Sequence, residues 1–135
     1  MKNPLKGNTQ MYNINEDLDY FTREEFACQY TGENEISDRL LLKLDLLRAR
    51  CGFPFVITSG YRSEDHPIEA KKEKAGTHAQ GIAVDIKAIS GTEKYEIVKQ
   101  ALLLGFGGIG VARSFIHVDD RSVTNSNSVP VMWTY

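Results

Sequence analysis

Ile82-Ala83-Val84-Asp85-Ile86 and Phe115-Ile116-His117-Val118-Asp119 are the two stretches that decide how this chain folds. Successive side chains of a strand point to opposite faces of its sheet. Ile82, Val84 and Ile86 therefore share one face, and Ala83 and Asp85 share the other. The second stretch repeats the pattern, with Ile116 and Val118 on one side and Phe115, His117 and Asp119 on the other. The branched aliphatic face must be the core face. A carboxylate is then left on the far side of an apolar strand, beside small Ala83. A buried, unpaired aspartate is costly, so Asp85 requires a cation or hydrogen-bond donors.

The chain holds three histidines, His66, His78 and His117, and each falls in a predicted loop or strand rather than on a helix face. His78 lies seven residues before Asp85 and just ahead of Gly81, where the chain can turn back over the strand. His117 can join Asp85 across the sheet. Two imidazoles and one carboxylate suit a tetrahedral zinc site, at about 2.0–2.2 Å per ligand, with one position left for water. Three protein ligands with an open position indicate catalysis rather than a structural role. Such a zinc lowers the pKa of its water to about 7 and polarises a carbonyl, which suits amide hydrolysis.

Outward from these strands, Thr22 and Glu25 have capping-box spacing ahead of a short helical turn with Phe26, and Phe21 is placed to staple its start. A longer helix is predicted from Ser37 or Asp38, with Leu40, Leu41, Leu44 and Leu47 on one face and Lys43, Arg48 and Arg50 on the other; Gly52 and Pro54 end it. Phe55 to Thr58 reads as a strand stopped by Ser59 and Gly60. A second helix from Thr92 carries Ile97, Val98, Ala101, Leu102 and Leu104 and closes at Gly105. Glycine-rich Gly107 to Gly110 leads into a strand near Val111, and Phe115 to Asp119 is expected to be the last strand. Helices precede and interrupt the strands without regular alternation. The expectation is an α+β fold with a small, mainly antiparallel sheet and flanking helices.

At 135 residues and 41% hydrophobic, the chain fits a single domain over residues 1–135, expected to be a monomer. Sixteen basic and eighteen acidic side chains give a net charge of −2, and the pI is near 5.9. No broad positive field exists to hold a phosphate backbone, so nucleic acid is excluded as the main partner. Met1 to Asn13 has no apolar stretch of signal-peptide type, and nowhere does the sequence offer the roughly 18 apolar residues of a membrane span. A soluble protein without an export signal is expected. The polar stretches are Lys2 to Asn15 and Ser122 to Ser128. Cys28 and Cys51 are too few for a disulfide scaffold and read as small hydrophobes, with one bridge left open if the protein works outside the cytosol.

Several ordered motifs carry a family resemblance: Ser59-Gly60-Tyr61-Arg62-Ser63, then His78 and Asp85 within Thr-His-Ala-Gln-Gly-Ile-Ala-Val-Asp-Ile, then Gly-Phe-Gly-Gly-Ile-Gly and Phe-Ile-His-Val-Asp-Asp-Arg. Together they resemble the zinc D-Ala-D-Ala carboxypeptidase family, in its short single-domain branch from bacteria and phages. The likeness runs from about Phe21 to the final Met-Trp-Thr-Tyr. It implies the hedgehog/DD-peptidase α+β fold, zinc (Zn2+) held by His78, Asp85 and His117, and a peptidoglycan peptide as substrate. It also places Arg62 on the motif arginine that binds substrate carboxylate or carbonyl. Without an export signal, such a protein would reach cell wall through lysis or a phage virion.

Arg62 makes sense independently, since it follows a strand and a Ser-Gly turn, where a planar guanidinium can grip a peptide's terminal carboxylate in bidentate fashion. One departure from the family concerns the proton acceptor. Many members carry a Glu, Asp or His two or three residues before the last zinc histidine, and this chain has Phe115 and Ser114 there. Asp119 is the first replacement, because it shares the strand face of His117; its other role would be to orient that histidine or pair with Arg121. His66 is the second, as a proton carrier or substrate contact, or as a loop cap at Pro67. Tyr61 and Trp133 could line the cleft, but aromatics in a domain of this size are more often core, and neither is assigned a role. Two functions stay open: a zinc peptidase of D-Ala-D-Ala or a related wall bond, and a non-catalytic zinc-containing module that binds cell wall or serves structure.

Overall fold

A computed structural model describes residues 18–121 and 129–135. The polar stretches Lys2–Asn15 and Ser122–Ser128, and the Met1–Asn13 segment without an apolar stretch, lie outside the described residues. Thr22 opens a 3-10 turn over Arg23–Phe26, its N–H donating to Glu25 Oε2 at 2.9 Å. Phe21 packs edge-on against Phe26, ring centroids 5.4 Å apart, as the staple expects. Helix α1 (Asp38–Cys51) starts at Ser37, whose side chain accepts from Leu40 N–H, and ends at Gly52 in the left-handed conformation, φ 77°. Helix α2 (Gly91–Leu103) starts on Ser90 in the same manner.

Five strands form one sheet: β1 (Ile57–Ser59), β2 (Ala83–Lys87), β3 (Gly108–Val111), β4 (Phe115–Asp119) and β5 (Val131–Thr134). Their spatial order is β1-β2-β4-β3-β5. All pairings are antiparallel except β3 with β5, which is parallel. The architecture is α+β, with a mixed, mainly antiparallel sheet and two helices. Leu40, Leu41, Leu44 and Leu47 of α1 and Ile97 and Ala101 of α2 pack with Val84, Ile86, Ile109, Ile116 and Val118 in one core. Those strand residues all belong to one face of the sheet, so the opposite face is left for polar groups.

Four expectations need correction. Strand β1 begins at Ile57 rather than Phe55, and a register shift between Ile57 and Ser59 keeps it short. Leu102 is turned away from the core and is 56% exposed, because it falls off the helix face that Ile97 and Ala101 bury. The glycine run lies inside β3 instead of leading up to it. Strand β5, not β4, is the last, and it carries Trp133 on the polar face rather than in the core. Cys28 and Cys51 are free thiols.

Leu44→Ala leaves a cavity beneath the sheet and is expected to cost about 2–5 kcal/mol. Leu102→Ala removes an outward side chain and should stay within about 0.5 kcal/mol. Urea denaturation of both variants checks the difference.

Candidate metal centre

Strand register builds the site. Ser59, Asp85, His117, Gly110 and Trp133 are successive partners across all five strands, so their side-chain positions form a single row on the face opposite the core. His78 joins this row from the preceding loop. Gly81, at φ 76°, provides the turn, and Gly81 N–H donates back to the His78 carbonyl at 3.2 Å.

Among the described residues, His78, Asp85 and His117 form a buried group with one donor atom each, all within 4.8 Å of one another. His78 Nε2 is 3.2 Å from Asp85 Oδ1, and His117 Nδ1 is 3.1 Å from the same oxygen. A tetrahedral ion with ligands at the usual zinc distances spaces its donors by about 3.4 Å. The geometry fits with small adjustments.

The outer nitrogens of the two imidazoles decide their tautomers. His78 Nδ1 is 2.8 Å from the Gly60 carbonyl, which can only accept, so Nδ1 carries the proton and Nε2 turns its lone pair inward. Gly60 reaches this position because it is a glycine: an added Cβ would lie 2.6 Å from the Phe26 carbonyl oxygen. His117 Nε2 is 2.7 Å from Asp119 Oδ2. An ionised Asp119 likewise requires the proton on Nε2 and leaves the Nδ1 lone pair facing Asp85. Three buried lone-pair donors thus converge on one spot, an arrangement that a divalent cation satisfies directly and that protons satisfy in its absence.

Without an ion, protons in that space act as the donors to Asp85. Burial opposes ionisation of Asp85, yet the hydrogen bonds from His117 and His78 prevail and hold its carboxyl well below the usual range. Burial also works against charge on His117, but Asp119 and Asp85 outweigh it and raise its pKa. Asp119 is fully buried; there the Arg121 and His117 hydrogen bonds overcome desolvation and bring its pKa down to about 2. Asp120 points the other way, as the alternation predicts, and pairs with Lys43 at 2.7 Å and Arg39 at 3.2 Å.

Arg62 lies at the rim. Its guanidinium is 3.7 Å from Asp85 Oδ2, its Nε donates to Ser59 Oγ at 3.1 Å, and its NH1 is 3.5 Å from buried Glu69. Glu69 also accepts from Lys72 Nζ at 2.9 Å and Gly76 N–H at 3.2 Å. His66 stays apart: its Nδ1 accepts from Ile68 N–H at 3.1 Å and its ring meets Tyr30 edge-on, and neither contact touches the three donors. Ser114 and Phe115 precede His117 as the sequence indicates, with Phe115 against Tyr135. Tyr61 is buried and donates to Glu35 from its hydroxyl at 3.1 Å.

Sequence reasoning gave Trp133 no role and preferred the core for it, yet its ring centroid is 5.1 Å from that of His117. It also missed why β3 is glycine-rich. A Cβ on Gly110 would lie 2.7 Å from the Trp133 indole, and one on Gly108 would collide with the Asp119 carboxylate. The alternation of glycines at 108 and 110 along one strand face was the available signal. An apolar hollow of about 650 Å³ lined by Tyr95, Val98, Leu102 and Val111 shares none of these residues.

The family model for peptidase M15 matches residues 19–119, most of the chain and all of the row up to β4. The chain belongs to the peptidase M15 family. No curated protein matches the sequence. In this M15 member the matched residues include all three of His78, Asp85 and His117. No helix among the described residues is long and apolar enough to cross a membrane.

Depression of the Glu69 pKa has a stability consequence. Burial raises it, but Lys72, the Gly76 N–H and Arg62 outweigh burial. A depressed carboxyl contributes stability that is present above its unfolded pKa of about 4.3 and lost as pH falls below it. Glu69→Gln is therefore expected to lower the urea midpoint near neutral pH and to flatten its fall below pH ~4.

Proposed function

We propose that this protein is a zinc-dependent peptidase that hydrolyses D-Ala-D-Ala or a related peptide bond of bacterial peptidoglycan, with His78, Asp85 and His117 as the zinc ligands. The observation that carries the reading is the pair of inward ring nitrogens, His78 Nε2 and His117 Nδ1, at 3.2 and 3.1 Å from one oxygen of Asp85. Membership of the M15 peptidases supplies the reaction class, and zinc is the metal expected there. Bound zinc would supply a Lewis acid and a water whose pKa lies near 7.

The chain's own residues do the rest. Arg62, steadied by Ser59 and Glu69, presents the remaining edge of its guanidinium to a substrate carboxylate or carbonyl beside the ligands. Asp119 is engaged on both oxygens by Arg121 and on one by His117, and its low pKa makes it a poor proton acceptor. Those contacts favour Asp119 as the group that orients His117 over its role as catalytic base. His66 serves as the loop cap by its contact with Ile68, with any substrate contact made from the ring's far side.

Ser114 and Phe115 favour the second reading, a zinc-containing wall-binding module without turnover, because neither accepts a proton at neutral pH. Defined wall peptides incubated with zinc-loaded and metal-free protein, with products identified by mass, separate the two. Free D-alanine means a carboxypeptidase and split cross-links mean an endopeptidase. Tight zinc binding with no product under any condition means the module, and no zinc binding sinks both readings. Zinc at a thousand times its Kd should stabilise the fold by about 4 kcal/mol, and excess chelator should abolish that gain in a thermal melt.

Arg62→Lys keeps the charge but loses the fork. If Arg62 grips a substrate carboxylate, kcat/KM is expected to fall on the order of ten- to a hundred-fold, from about 1.5–3 kcal/mol per charged hydrogen bond. Steady-state kinetics on a peptide with a free carboxyl terminus tests this, and an unchanged kcat/KM removes Arg62 from substrate binding.

A further inference from the structure

Buried charge continues outward from His117 in a way the donor set does not require. Asp119 Oδ1 accepts from Arg121 Nε at 2.9 Å and from Arg121 N–H at 3.1 Å, while Oδ2 accepts from Arg121 NH2 at 2.7 Å. The same Oδ2 meets His117 Nε2. The Arg121 guanidinium carbon stands 5.0 Å from the centre of the Trp133 ring, and that ring lies beside His117. His117 is thus bracketed at its outer nitrogen by Asp119 and on a side by the indole, and Arg121 ties the two brackets together. Gly110 occupies the row position between His117 and Trp133, and its missing side chain lets the indole reach across.

We infer that Arg121 and Trp133 are positioning residues that lock the His117 ring with Nδ1 toward the metal, acting through Asp119. The inference rests on the proposed metal site and adds what holds one of its ligands in register. Guanidinium suits this task because its planar fork engages both carboxylate oxygens at once, which an ammonium cannot do. Stacking on the indole then fixes the plane of the fork. A carboxylate held in this way cannot rotate off the histidine, so the tautomer with the proton on Nε2 is the one maintained.

The test compares Arg121→Ala, Arg121→Lys, Trp133→Ala and the double variant Arg121→Ala/Trp133→Ala, with Leu44→Ala as a destabilised control. Zinc affinity is read by competition with a chelating dye, and geometry by the visible absorption of the cobalt-substituted protein. Arg121→Ala is expected to weaken zinc about ten- to a hundred-fold and to alter the cobalt spectrum. Arg121→Lys should recover part of the loss, and the double variant should be no worse than the sum of its parts, since the two residues act as one unit. Leu44→Ala should keep wild-type affinity in its folded form. Wild-type affinity and cobalt spectrum in both single alanine variants overturn the inference, as does an equal loss in the Leu44→Ala control.

A wild-type protein that binds neither ion defeats the proposed metal site but leaves the inference decidable. Imidazole nitrogen NMR of the metal-free protein at alkaline pH reports the His117 tautomer. A proton on Nε2 in the wild type that is lost or scrambled in Arg121→Ala supports the lock, and the same tautomer in both overturns it.

Discussion

Burial of Asp85 is the constraint on which the site depends. Its side chain lies on the sheet face away from the core yet is nearly closed off from solvent, so its charge must be answered locally. Two imidazoles converge on one of its oxygens, one delivered by the neighbouring strand and one by the preceding loop, and a cation or protons between them answer the charge. Each has its outer nitrogen committed to an acceptor, the Gly60 carbonyl for His78 and the Asp119 carboxylate for His117. With those two contacts made, the inner nitrogens have no freedom to turn away. The group is arranged before any ion arrives, and the reorganisation that would otherwise weaken metal binding is reduced.

Rigidity comes from the other face of the same strands. Val84 and Ile86 bracket Asp85 in sequence, and Ile116 and Val118 bracket His117, and all four are fully buried against the two helices. Close-packed interiors resist displacement. A shift of one residue in the β2–β4 register would move Asp85 and His117 off the shared face and bury them in the core, at a cost the fold could not absorb. Core packing and site geometry are therefore a single requirement written twice along each strand, once in the even positions and once in the odd.

That double writing explains what the sequence revealed. Period-two alternation marks β2 and β4 without ambiguity, and by itself it places Asp85, His117 and Asp119 on one side. Helix α1 was equally legible, because Leu40, Leu41, Leu44 and Leu47 recur at helical spacing between a serine cap and a glycine stop. Strand β5 was not. Val131, Met132 and Thr134 are exposed on a sheet edge, so burial imposes no alternating pattern on them. Its partner β3 is far off in sequence and parallel, with no tight turn to announce the pairing. The glycines of β3 misled for a related reason: they look like loop residues, whereas they are spaces kept clear for the Asp119 carboxylate and the Trp133 indole. A missing side chain records a neighbour that only the fold supplies.

The stretch from Ser59 to Arg62 shows how few residues can coordinate two functions. Tyr61 N–H donates to the Phe26 carbonyl at 2.8 Å and anchors the segment to the first turn of the described chain. From that anchor the Gly60 carbonyl fixes the tautomer of His78, and Ser59 Oγ steadies the Arg62 guanidinium. Arg62 N–H then donates to the His78 carbonyl at 3.2 Å, closing a small ring of contacts between the histidine and the arginine. A ligand donor and a cation for substrate are thus held by one short piece of backbone, and neither can move without the other. This coupling gives the Ser-Gly-Tyr-Arg sequence its physical meaning: the serine and arginine set the rim, and the glycine sets the floor.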